Sequence, residues 1–183
     1  MKRNISAKGE YGIDFSFNNN EVRNYQELLN KRNKTLNSFC EGFGTPEHKM
    51  EFVKTIRDID FINDAASCNA NSIYMAFSNA VKKVTWITHF KQWGEVSGDF
   101  LQMMMQKVSH IIFIGEYDYP SIAFVEALHI STNVAADIET AVRKAFYATP
   151  RGEAILYCPG NALQEGESIN DRGTLFKNAV AQL

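Results

Sequence analysis

The chain has 183 residues, 45% hydrophobic, 12% aromatic and 22% charged, with 11 glycines and 4 prolines; this excludes collagen-like and low-complexity classes and predicts a folded protein. Lysine and arginine number 19 against 21 aspartate and glutamate, a net charge of −2, so the charge balance favours neither nucleic acid nor an anionic membrane as a partner. The three cysteines (Cys40, Cys68 and Cys158) are odd in number and far apart, no apolar signal core follows the start, and apolar runs such as Ile111–Ile114 are far shorter than a membrane span, so a soluble cytoplasmic protein is expected.

The first residues, through about Asn20, are polar and lack periodicity, with room for a short strand around Ile13–Phe15. From Glu21 to Phe39, Val22, Tyr25, Leu29, Leu36 and Phe39 form one apolar stripe and predict a helix, which Gly42, Gly44 and Pro46 would stop. Residues 1–45 are therefore expected to be an N-terminal extension with one helix, ahead of a main domain at 46–183. In that domain Met50–Ile56 and Ile59–Ile62 read as strands and Asn69–Ala80 as a helix. Val84–Ile87 is the next strand, Asp99–Lys107 a methionine-rich helix, His110–Ile114 a strand and Ser121–Leu128 a helix. A short strand near Ile130, a helix at Ala135–Ala148, a strand at Ala154–Cys158 and a helix at Asn170–Ala181 complete the series. Strands alternating with helices over this length predict an α/β fold, a Rossmann-like three-layer α/β/α sandwich with a mainly parallel sheet.

Ligands in such folds bind outside the carboxyl ends of the strands, which directs attention to 63–69, 88–98, 115–120 and 158–166. No Gly-Lys-Ser or Gly-Lys-Thr occurs, so the phosphate loop of a nucleotide hydrolase is missing from the sequence. Gly42-Phe43-Gly44 follows a helix and precedes a strand, the reverse of a dinucleotide loop. His48, His89, His110 and His129 include no pair four residues apart, so no metal site is expected. Cys68 is expected at the first turn of a helix and His89 at the end of the neighbouring strand, which makes them candidates for a thiol nucleophile and its base; a buried, inert thiol is the competing reading.

His48-Lys49-Met50-Glu51-Phe52-Val53, then Phe61-Ile62-Asn63-Asp64, then Ala65-Ala66-Ser67-Cys68-Asn69 form a recognisable series. It resembles the C-terminal domain of the Mur ligases, most closely the D-glutamate-adding branch, whose corresponding run is His-Arg-Met-Glu-Phe-Val followed by Phe-Ile-Asn-Asp-Ser-Lys-Ala-Thr-Asn. Leu36–Phe43 looks like the end of that family's central domain. Trp86-Ile87, Asp99-Phe100, Ile155-Leu156 and Asp171-Arg172-Gly173 with Phe176 fit its later strands and closing helix.

By this resemblance Lys49, Asp64 and Asn69 stand on the nucleotide edge, which keeps a cation and a carboxylate and implies ATP or another nucleotide as a possible cofactor. Ala66, Cys68 and Ala162 stand where the family's amino-acid pocket carries lysine and hydroxyl side chains. A pocket without those groups is a poor match for a buried dicarboxylate, since each unpaired charge costs about several kcal/mol. The family's phosphate loop and metal ligands lie in a central domain that the resemblance does not cover. The resemblance thus implies a stand-alone, degenerate module tied to peptidoglycan precursor metabolism, non-catalytic by itself, that binds a small molecule or a protein partner. A homo-oligomeric interaction protein is the third reading, with Phe90, Trp93, Phe100 and Met103–Met105 as an adaptable apolar surface.

Overall fold

The computed structural model describes residues 5–8, 14–17, 47–117 and 119–183. The chain divides into two compact units, Met1–Thr45 and Pro46–Leu183. In the first, β1 (Ile5–Lys8) and β2 (Asp14–Phe17) pair antiparallel, Ile5 opposite Phe17 and Lys8 opposite Asp14. The helix expected at Glu21–Phe39, the Gly42-Phe43-Gly44 stop and Cys40 lie outside the described residues.

The second unit is built on a six-stranded sheet in the order β3-β4-β8-β5-β6-β7. Its strands are β3 (Glu51–Ile56), β4 (Ile59–Asn63), β5 (Val84–Thr88), β6 (Val108–Ile114), β7 (Ser131–Ala135) and β8 (Ala154–Tyr157). Between them and after them run α1 (Ala70–Asn79), α2 (Gly98–Lys107), α3 (Tyr119–Glu126), α4 (Ile138–Ala148) and α5 (Ile169–Ala181). Strands β4, β8, β5, β6 and β7 are parallel, and β3 alone runs antiparallel, against β4. The β3–β4 hairpin turns on Arg57 and Asp58, both at positive φ (51° and 66°), the twist that a two-residue hairpin requires.

The central strands are mostly apolar because both faces are covered, with Thr85 and Thr88 as buried exceptions in β5. Side chains alternate across the sheet, so successive residues of β6 serve two cores. Ile111 and Phe113 pack with Trp86 and Leu156 under Ile73 and Phe77 of α1, Phe100 and Met104 of α2 and Val125 of α3. Ile112 and Ile114 pack with Phe61, Ile87, Ile155 and Tyr157 under Val142 and Phe146 of α4 and Phe176 and Val180 of α5. Burial of each such large side chain contributes roughly 1.5–3 kcal/mol. The three-layer α/β/α fold read from the sequence is the fold observed.

Several boundaries move, each for a local reason. Ala135 ends β7 instead of opening a helix, because Asp137 accepts the Thr140 N–H at 2.7 Å and starts α4 at Ile138. Strand β6 begins at Val108, where the α2 C-cap leads straight into extended backbone. Phe90, Trp93 and Phe100, expected on an adaptable surface, are core residues at 1%, 7% and 3% exposure; Met104 is buried with them and Met105 is exposed. Trp86, Phe90 and Trp93 meet at ring distances of 5.1–6.2 Å, and that aromatic packing holds the segment after β5 onto the sheet. No helix among the described residues is long and apolar enough to cross a membrane.

A buried polar joint fastens the start of the unit to α5. His48 is 3% exposed; its Nδ1 accepts from Asn63 Nδ2 at 2.9 Å and its Nε2 stands 3.1 Å from Asn170 Oδ1. Asn63 Nδ2 also reaches Glu51 Oε2 at 3.1 Å and the Gly173 carbonyl at 3.3 Å. The imidazole fits because residue 173 has no side chain: a Cβ there would stand 2.0 Å from His48 Nδ1. Gly173→Ala is therefore expected to lower stability by about 2–3 kcal/mol through overpacking and broken buried hydrogen bonds. Urea unfolding should show a lower midpoint at unchanged m; a midpoint equal to that of the parent would contradict the joint.

Candidate functional site at the strand ends

Helices α1 and α2, which follow β4 and β5, cover one face of the sheet, whereas α5, which follows β8, covers the other. Strand β8 lies between β4 and β5, so the chain leaves adjacent strand ends in opposite directions and opens a crevice there. A cavity of about 360 Å³ occupies this place. Residues 68–71 supply one wall, Phe90 and Gln92 another, and Gly160 and Ala162 the third.

The wall after β4 is shaped by a buried carboxylate. Asp64 is fully buried; its Oδ1 accepts the Met50 N–H at 3.0 Å and pairs with Lys49 Nζ at 3.2 Å. Its Oδ2 accepts a short hydrogen bond from Ser67 Oγ and a longer one, 3.5 Å, from Cys158 Sγ. Lys49 Nζ also donates to Ser67 Oγ at 2.9 Å. The Asp64 N–H is held by the Tyr157 carbonyl at 2.8 Å, and the Ser67 carbonyl receives the Gly160 N–H at 2.9 Å. The loop after β4 is thus stitched to the end of β8 on both sides. Both oxygens of Asp64 face this interior cluster, and Lys49 keeps part of its side chain in solvent.

The wall after β8 is held by Arg172, 4% exposed. Its Nε and one Nη engage Glu167, while the Nη groups donate to the Asn161 and Ala162 carbonyls, each at 3.0 Å. Glu167 is held below the usual carboxylate range, chiefly by its hydrogen bond to Arg172. Gly160 completes the turn at φ +70°, where an added Cβ would meet Ile73 Cδ1 at 2.4 Å. The wall after β5 is tied down by Thr88, whose hydroxyl donates to the Pro159 carbonyl at 3.0 Å, and by Tyr117, whose hydroxyl donates to the Phe90 carbonyl at 3.0 Å.

The residues singled out from the sequence are distributed over this architecture as follows. Cys68 and Ala162 line the crevice and are exposed. Asn69 also lines it, but its Oδ1 caps α1 by accepting the Ser72 N–H at 2.9 Å. Ala66 is half-buried, its N–H bound to the His48 carbonyl at 3.0 Å. Lys49 and Asp64 form the interior pair. His89 follows β5, its N–H donates to the Pro159 carbonyl at 3.0 Å, and the charges that act on the imidazole are Arg172, Glu167 and Lys91. Cys68 borders Phe90, which belongs to the core under α1 and α2. Among the described residues no hydrogen bond joins Cys68 to His89. Cys158 is buried, and burial pushes its thiol well above the ordinary range. Among the described residues no three His, Cys, Asp or Glu side chains gather as a metal site. Asn71 and Gln92 were not singled out from the sequence, since two solitary amides carry no local signal; Arg172 entered only with Asp171 and Gly173 as a match to the closing helix, without a role at the site.

No protein-family model matches the chain. UDP-N-acetylmuramoylalanine--D-glutamate ligase of Christiangramia forsetii is 30% identical over 159 residues, which are 86% of this chain and 36% of the ligase. The corresponding ligase of Chlorobium phaeobacteroides is 31% identical over 141 residues, 75% of this chain and 30% of the ligase. The chain thus spans about a third of the length of the curated relatives it matches. Among solved structures, a bifunctional folylpolyglutamate synthase/dihydrofolate synthase of Yersinia pestis complexed with AMPPNP and Mn ion superimposes at a TM-score of 0.50. That match covers 76% of this chain and 32% of the synthase at 14% identity, a likeness of fold.

Two outcomes follow from the geometry. Burial, followed by the positive charge of Arg172, lowers the His89 pKa from 6.5 to about 4, so the folded form keeps the imidazole neutral. Between those values the unfolded chain binds a proton that the folded chain does not, and stability falls as pH drops through that window. Unfolding of His89→Gln across pH 7 to 4 should show a flatter dependence, by up to about 1.4 kcal/mol per pH unit; an unchanged slope would contradict the buried neutral imidazole. Mapped alkylation of the native protein should modify Cys68 and spare Cys158 until the chain unfolds, and early labelling of Cys158 would contradict its burial.

Proposed function

Because the chain carries a Mur-ligase C-terminal-like domain, we propose that residues 46–183 act as a binding module for a nucleotide or a nucleotide-linked metabolite of peptidoglycan precursor metabolism, and that they do not catalyse ligation by themselves. The observation that carries this reading is the crevice at the β4, β8 and β5 ends, open and framed by three rigidly tied walls while the acid–base groups around it are committed inward. Switch-point crevices of this kind are where open α/β sheets bind ligands. A nucleophile and base in contact would favour an enzyme, and no hydrogen bond joins Cys68 to His89 among the described residues. Acyl-phosphate chemistry needs aligned phosphates and a metal. The 183 residues contain no Gly-Lys-Ser or Gly-Lys-Thr loop to cradle a triphosphate, and Lys49 already spends its charge on Asp64. The residues present therefore fit a contact with part of a nucleotide better than a phosphate cradle. The cytoplasm, where such metabolites and reduced thiols occur together, is the compartment this reading implies.

The test is a titration of ATP and of a UDP-sugar peptide into the purified chain, followed by backbone amide shifts. Perturbations are expected at Cys68, Asn71, Gln92 and Gly160, and no ADP should form when ATP and D-glutamate are supplied together. Ligand-induced shifts absent from the crevice, or ADP formed at a rate that tracks protein concentration, would overturn the proposal.

A further inference from the structure

Every described side chain that lines the three walls of the crevice is uncharged: Cys68, Asn69, Ala70, Asn71, Phe90, Gln92 and Ala162. Lys49 and Asp64 satisfy each other below the wall after β4, Arg172 spends its donors on Glu167 and on the carbonyls of Asn161 and Ala162, and Lys91, between Phe90 and Gln92, sets its ammonium 5.2 Å from the centre of the Tyr117 ring. Two polar groups remain for recognition. Asn71 stands in the first turn of α1 and Gln92 before the short 3₁₀ turn Trp93–Glu95; both are exposed, and among the described residues neither side chain is used in a hydrogen bond or cap. They come from different walls, after β4 and after β5. A carboxamide presents a donor and an acceptor side by side in one plane. Its complement is another planar amide or lactam edge, whereas a carboxylate offers acceptors alone.

We propose that the crevice recognises an uncharged planar amide or lactam edge, bound through the Asn71 and Gln92 carboxamides beside the Cys68 thiol. This rests on the reading of the crevice as a small-molecule site and states what that site selects. A nucleobase and a carboxamide side chain both present the required edge. A ligand edge that offers both a donor and an acceptor satisfies the two carboxamides, whereas one that offers acceptors alone leaves their carbonyl oxygens unmatched. Phe90, 1% exposed, closes the floor and gives the ligand no aromatic face, so the hydrogen bonds at the rim decide the selection.

Cys68 is the reporter, since it lines the crevice and is exposed while Cys158 is buried. Its alkylation by N-ethylmaleimide, read by peptide mapping, is to be measured with uridine, with N-acetylglutaminamide and with the analogue of the latter that carries a side-chain carboxylate. At ten times the dissociation constant a bound ligand should slow Cys68 modification by about tenfold. Protection by uridine, by the carboxamide or by both, without protection by the carboxylate, supports the proposal and identifies the source of the edge. In the double variant N71D/Q92E the protection should fall away by at least about tenfold in affinity. The parent fold should persist in it, since acidic residues suit the start of a helix. Equal or better protection by the carboxylate would overturn the selectivity and leave the crevice as a binding site. Protection by none of the three, with crevice amide shifts also absent, would overturn both.

Discussion

The organisation of this protein around its strand ends depends on one buried carboxylate. Asp64 is fully enclosed, and a charge placed there must find partners or destabilise the fold by several kcal/mol. It finds four: the Lys49 ammonium, the Met50 amide, the Ser67 hydroxyl and the Cys158 thiol. Those partners come from the segment before β3, from the loop after β4 and from the segment after β8. One side chain therefore fixes the relative position of three chain segments that local propensity could not place. Met50 accepts a positive φ of 47° to deliver its amide, and the loop after β4 is bent so that Cys68 and Asn69 face the crevice.

A second consequence is electrostatic. Cations that would face a ligand are turned to internal work: Lys49 neutralises Asp64, and Arg172 organises the segment 161–167 as a guanidinium readily does, by planar, multiple donation to a carboxylate and carbonyls. The walls are thereby rigid and the cavity neutral. Rigid walls lower the entropy lost on binding, and neutral ones shift selectivity from charge to hydrogen-bond pattern. The divergence of α1 and α5 from neighbouring strand ends opens the space itself, so topology supplies the location and the inward ion pairs supply its character.

Much of the architecture was legible in the sequence. The apolar run Ile111–Ile114 of β6 was readable because both faces are buried, and α1 was marked from Asn69 by its apolar spacing, whereas α4 was expected from Ala135 and begins only after its Asp137 cap. Boundaries shifted where a cap or a single backbone bond decided them, as at Met50 and Ala135. The site was legible only in its motif residues. Cys68 and Ala162 were placed at the strand ends and do line the crevice, but a sequence does not show which way a lysine points, and Lys49 turns inward. Phe90 and Trp93 read as a possible surface because aromatic residues after a strand have no periodicity to place them; ring packing with Trp86 takes them into the core. Arg172 acquires its position from the loop before α5, where it meets Glu167 and the Asn161 and Ala162 carbonyls, and an irregular loop has no periodicity from which such contacts could be read.

The most direct measurement of the Asp64 account is the equilibrium unfolding of Asp64→Asn together with its binding of crevice ligands. The isosteric amide keeps the shape and removes the charge, which leaves Lys49 without its partner and sets an amide donor against the Met50 N–H or the Ser67 hydroxyl. Stability is expected to fall by about 3–5 kcal/mol, as for other broken buried pairs. A variant as stable as the parent that has lost only ligand affinity would contradict the account, because it would make Asp64 a ligand contact and not the internal anchor of the fold.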